Sequence, residues 1–308
     1  MLKNIVDCEF PSGIHKDPSE QLLNNRQINN IGSSPKKRKE EQQNRIPAIE
    51  KLNKRTLQYI ANSPEVTFDV VSKKFYVDGA IYHQRTSDEL NRTANALELF
   101  SEISFSEINK LVDSLYINPY FAITTDVGKK IYDIVCEWPG MTFDQKIFYR
   151  ARTASNPDET YLERDMLMPP QGIPSQGRYN DYGRSCFYFT DTFDGAINEV
   201  AGHQSKDDGY VYVVKIKPQK SVKLIDLSKM ASNSFITAIR KVVTDEKAKV
   251  KKEYLLPNYI AGCCRQAGWD GIKYRGSGYK CYVTWNDASM KIEKYYSPIK
   301  ISEWKKRK

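Results

Sequence analysis

Between Pro169 and Val200 three kinds of local structure follow one another directly, and a chain that makes all three must combine helix and sheet. Pro169, Pro170, Gly172, Pro174, Ser175 and Gly177 mark a loop, because proline fixes one backbone torsion and glycine frees both. Ser185 to Thr190 is a short aromatic run of strand type. Asp191-Thr192 then offers a helix cap, and Phe193 to Val200 reads as a helix with Glu199 on its second turn. A loop arginine (Arg178), a strand tyrosine (Tyr188) and a helix glutamate (Glu199) can converge on one pocket. Such a set suits an anionic ligand that carries a reacting sugar.

Each residue also has a plainer reading. A lone loop arginine is most often solvated, although its fork of donors suits a phosphate or pyrophosphate. A tyrosine at the centre of Phe187-Tyr188-Phe189 is most often packing. Glu199 stands beside Ala196, Ile197 and Val200, and an ionised carboxylate seldom gives up water without a partner. Glu199 and His203 have the spacing of a helical metal pair, but no third ligand stands near, and a surface hydrogen bond is the better reading. Arg150 and Arg152 alternate with Tyr149 and Ala151, so both point to one side of a strand, where a buried arginine calls for an anionic partner. Ser277, between Gly276 and Gly278, sits in a turn where backbone can approach a ligand closely; by itself it is a hairpin turn.

Along the chain, residues 1–45 are polar and without periodicity, and are expected to be a disordered tail. Residues 46–140 read as a small, mainly helical domain. It has a helical piece at Leu57 to Asn62, a strand pair turned around Ser72-Lys73, and three helices, the first capped by Ser87. Residues 141–308 read as an α+β domain, with strands at 147–152, 210–216 and 222–226, helices at 228–243 and 257–267, and paired strands at 269–274 and 280–285.

The net charge of +9 is concentrated in Lys36 to Lys39, in the lysines at 247, 249, 251 and 252, and in Lys305 to Lys308. Removing those twelve charges leaves −3 on the rest, so the basic character lies in tails and one loop. That is a poor nucleic-acid footprint, which spreads charge over a face with interleaved aromatics. No apolar run is long enough to span a membrane, and the six cysteines lack zinc spacing, so a reduced, cytoplasmic protein is expected.

Taken in order, these pieces resemble a known family. Phe-Tyr-Arg-Ala-Arg at 148–152, Gly-Arg-Tyr-Asn-x-x-Gly at 177–183, Phe-Tyr-Phe-Thr at 187–190, Glu199, and Trp-Asp-Gly-Ile-x-Tyr-x-x-Ser at 269–277 are similar to the RES domain. RES proteins are toxins of bacterial toxin–antitoxin pairs that destroy NAD, with a fold similar to ADP-ribosyltransferases. The resemblance implies Arg178, Tyr188 and Glu199 as the catalytic set, with Arg150, Ser277, Tyr149 and Asn180 at the NAD pocket. It implies NAD as substrate, no metal, and a neutralising antitoxin as partner. Water as acceptor makes a glycohydrolase and inorganic phosphate a phosphorylase. A protein acceptor makes a mono-ADP-ribosyltransferase, and an inactive RES-like half makes a non-catalytic interaction protein.

Overall fold

The computed structural model describes residues 51–63, 66–69, 74–77, 84–143, 147–158, 161–202, 209–228, 233–245, 247–286 and 290–306. The tail at 1–45, the turn at Ser72-Lys73 and His203 lie outside the described residues. The chain divides into two compact units, residues 1–100 with 137–139, and residues 101–136 with 140–308.

In the first unit, helix α1 (Lys54–Ala61) starts at Asn53, whose side chain accepts from the Thr56 amide. Strands β1 (Val66–Asp69), β2 (Lys74–Val77) and β3 (Gln84–Arg85) form an antiparallel sheet in that order. Helix α2 (Ser87–Ser101) is capped by Thr86 rather than by Ser87. The Thr86 hydroxyl accepts from the Glu89 amide at 3.2 Å while the Glu89 carboxylate accepts from the Thr86 amide at 2.8 Å. Leu57, Ile60, Val66, Phe68, Phe75 and Leu90 make its core.

The second unit begins with α3 (Phe105–Ile117), closed at its start by the reciprocal Ser104–Glu107 box, and α4 (Asp126–Glu137). Its centre is a mixed sheet of nine strands. In chain order these are β4 (Met141–Phe143), β5 (Phe148–Ala154), β6 (Phe187–Thr190), β7 (Tyr210–Pro218), β8 (Val222–Asp226), β9 (Gly271–Arg275), β10 (Lys280–Thr284), β11 (Met290–Tyr295) and β12 (Ile299–Lys300). They lie in the order β11-β7-β5-β6-β10-β9-β8-β4, with β12 also on β7. The β8–β9 pairing is parallel and the others are antiparallel. Successive strand residues face opposite sides, and here both sides are covered. Val214 and Ile216 join Phe148, Phe187 and Phe189 on one face, while Val211 and Val213 pack under Ile197 and Ala201 of α6 (Phe193–Ala201) on the other.

The architecture is α+β. Of the expected helix over 228–243, residues 229–232 lie outside the described residues, and the described part is α7 (Ser234–Ile239), started by Asn233 and stopped at Arg240. At its end the Arg178 guanidinium donates to the carbonyls of Ile239 and Lys241, the second of which lies beyond the last turn. Helix α8 (Leu255–Gln266) holds Pro257 in its first turn and ends before Gly268, whose φ of +81° suits glycine. Among the elements that escaped the pattern reading are β4, the short helix α5 (Glu163–Met166), β11, β12 and the helix α9 (Ile301–Lys306). Lys305 and Lys306, read as a tail, belong to that helix.

Candidate active site

Strands β5 and β6 lie side by side at the centre of the sheet, α6 crosses them, and the loop before β6 folds back over one end. A cavity of about 910 Å³ opens there, within the usual size of a ligand cleft. Tyr149, Arg150, Arg178, Tyr188, Glu199 and Ser277 all line it, although they span more than a hundred residues of sequence.

The arginine loop is built by Tyr188. Its hydroxyl donates to Asn180 Oδ1 at 2.9 Å and accepts from the Tyr179 amide at 2.9 Å, which closes a tight turn with the Gly177–Asn180 bridge. Burial pushes this phenol well above its ordinary pKa, so the proton needed for the Asn180 bond stays in place. Gly177 is required here, because a Cβ would lie 2.3 Å from Asn180 Oδ1. Asn180 itself is buried, donates to the Ser175 carbonyl at 2.9 Å, and stands behind the cavity wall instead of in it.

Arg178 is half-buried, not the freely exposed group that its loop suggests. Its Nη1 donates to Ile239 O at 2.7 Å and to Lys241 O at 3.4 Å, and its guanidinium lies 5.2 Å from the Tyr254 ring centroid. Its Nε and Nη2 have no hydrogen-bond partner among the described residues. One edge of the fork is anchored and the other is available.

Arg150 and Arg152 do share one side of β5, since both donate to the Leu167 carbonyl at 3.2 Å. Main-chain carbonyls hold part of the Arg150 guanidinium. Nη1 donates to Tyr188 O at 2.7 Å, and the guanidinium lies 4.6 Å from the Phe187 centroid. Carbonyl dipoles thus help to hold a buried cation.

Glu199 acquires the partner that its apolar helix demands. The Tyr279 hydroxyl donates to Glu199 Oε1 at 2.6 Å. Burial first, then that bond and the carboxylate's charge, raise the Tyr279 phenol, which keeps it a donor. Two glycines make room for the Tyr279 ring. A Cβ on Gly276 would approach it to 2.4 Å, and one on Gly195 to 2.8 Å. Ser277 is exposed in the turn between β9 and β10, at the same wall.

Pattern reading missed Tyr279, Tyr254, Arg240 and Arg275. The signal for Tyr279 was its place directly after Gly-Ser-Gly; the others are set by long-range packing alone. Five arginines (150, 152, 178, 240, 275) and one carboxylate, Glu199, line the cavity. Among the described residues no three His, Cys, Asp or Glu side chains are grouped to hold a metal ion. Among them, too, no helix is long and apolar enough to cross a membrane.

A model of the family described as the RES domain matches residues 147–304. No curated protein matches the chain. Among solved structures, the crystal structure of the M. tuberculosis MbcT–MbcA toxin–antitoxin complex is similar, at 12% identity and a TM-score of 0.41, covering 59% of this chain and 97% of that chain.

Proposed function

The chain belongs to the RES domain family, and from that membership we propose that it consumes NAD by cleaving the nicotinamide–ribose bond. The observation that carries this reading is the charge of the cavity, five guanidinium groups around one carboxylate that has its own hydrogen-bond donor. A cationic pocket recruits a polyanion, and a single fixed carboxylate within it serves where positive charge develops.

Loss of nicotinamide from NAD passes through an oxocarbenium-like state, as in glycoside cleavage. In this reading Glu199 faces the ribose and stabilises that charge, and Tyr279 keeps its Oε1 aimed. Arg178 offers its available edge to the pyrophosphate, fixing the distance between anchor and scissile bond. Tyr188 acts on the Arg178 loop through Asn180 and the Tyr179 amide. Attack by water yields ADP-ribose, nicotinamide and a proton; attack by phosphate yields the ADP-ribose phosphoester and nicotinamide. We place this activity in the cytoplasm, as a growth-inhibiting toxin held in check by a neutralising protein, on an ADP-ribosyltransferase-like scaffold.

Nicotinamide release from NAD by the purified chain, followed with and without phosphate, tests the reading; no release in either buffer overturns it. Arg178→Ala should raise KM for NAD by about 10- to 100-fold, the worth of charge-assisted hydrogen bonds, with a smaller change in kcat. Arg178→Lys should recover little of it, because an ammonium cannot span two oxygens as a fork does. An unchanged KM in Arg178→Ala removes the pyrophosphate role. Tyr279→Phe should lower kcat by about tenfold, the worth of one charge-assisted bond, and change KM by less than about twofold. A rise in KM with unchanged kcat would make Tyr279 a binding residue instead.

A further inference from the structure

We infer that Arg240 and Arg275 form a second anion subsite in the cavity, one that takes a phosphate group distinct from the pyrophosphate of NAD. The inference rests on the NAD reading for what the pyrophosphate does, but the subsite itself stands on its own geometry.

Arg240 is the residue on which α7 ends, and its backbone amide turns back onto Ile236 O at 3.1 Å. Its side chain lines the cavity, and its Nη2 is fully buried with no hydrogen-bond partner among the described residues. A buried guanidinium nitrogen without an acceptor is costly, and native structures supply one from an ordered water, an ion or a ligand. Arg275 is the last residue of β9 and lines the same cavity. Burial lowers the Arg240 pKa, and repulsion from Arg275 lowers it further, so the two charges are near enough to feel each other. Neither makes an ion pair with a described residue. Two like charges facing one cavity are stabilised by an anion, and a guanidinium fork suits a phosphate group.

The charge of the cavity leaves room for an anion besides the pyrophosphate. Glu199 offsets one of the five guanidinium charges, and a pyrophosphate about two more. The nicotinamide ring returns a positive charge to the site. About three positive charges then remain, enough to hold one further phosphate of about −1.5 to −2. Two sources supply it: the 2′-phosphate of NADP, or inorganic phosphate held as the attacking group. In the second case the phosphate oxygen bonds to the ribose carbon as the nicotinamide nitrogen leaves with the bonding pair, and no proton is needed from the enzyme.

The test is calorimetric titration of the full chain carrying Glu199→Gln, which holds dinucleotides without cleaving them. The ligands are inorganic phosphate, NAD and NADP, each repeated after adding Arg240→Gln or Arg275→Gln. Arg275 is exposed, so its variant guards against misfolding of the other. Weakening of inorganic phosphate by tenfold or more, with NAD within about threefold, identifies the free anion as occupant. Equivalent weakening of NADP relative to NAD identifies the 2′-phosphate. Equal tenfold losses for NAD and NADP would make the pair part of the pyrophosphate clamp and overturn the second subsite, as would no loss for any ligand. If NAD fails to bind the parent while phosphate binds and depends on the two arginines, the NAD reading falls and the anion subsite stands.

Discussion

Glu199→Gln should reduce nicotinamide release from NAD by on the order of 10³-fold while the protein melts where the parent does. The amide keeps the shape of the carboxylate, and its oxygen still accepts from the Tyr279 hydroxyl, which donates to Glu199 Oε1 at 2.6 Å in the parent. The fold therefore loses no contact, and a stability change below about 1 kcal/mol is expected. On the proposed function, what disappears is the negative charge that faces the ribose, and with it the stabilisation of the oxocarbenium-like state. Nicotinamide release and a melting curve on the same preparation check both halves. Full activity in Glu199→Gln would sink the assignment of chemistry to this carboxylate. The same variant tests the cellular role, since growth arrest on expression should vanish with the charge.

The difference between what local sequence shows and what packing decides is visible residue by residue. The cap at Thr192, the helix that carries Glu199, strands β5 to β10 and the glycine after α8 follow from turn chemistry and period, which act over a few residues. The α+β class follows from them. The surroundings of Arg150 and Arg178 do not. Which carbonyls receive a guanidinium depends on Leu167, Tyr188, Ile239 and Lys241, brought close by the sheet order β5-β6-β10-β9. The same holds for Tyr279 beside Glu199, 80 residues apart in sequence. The end of α7 at Ile239 is a mixed case: its apolar pattern continues through Val242 and Val243, while the Ile239 carbonyl is taken by Arg178, 61 residues away in sequence.

The far wall of the cavity yields the largest expected change in stability. Lys273 is 1% exposed, stands opposite Asp226 in the parallel β8–β9 register, and its Nζ lies 2.8 Å from Asp226 Oδ2. Asp226 also accepts from the Ser228 amide at 2.9 Å, and the Leu227 amide donates to Lys273 O at 2.8 Å, so the pair fixes how β8 turns away beneath Leu227. Asp226→Ala should cost about 3–5 kcal/mol, because it removes the carboxylate 2.8 Å from a buried ammonium. The unit should then melt roughly 6–20 °C lower. Removing both charges is a different matter. Lys273→Met with Asp226→Leu replaces an ion pair by apolar contact, and should recover most of the loss. Since Leu227, Tyr274 and Arg275 line the cavity beside this pair, the double variant should also keep nicotinamide release near the parent level. A single Asp226→Ala that melts within about 2 °C of the parent would show that water reaches Lys273 through this wall, contrary to its burial.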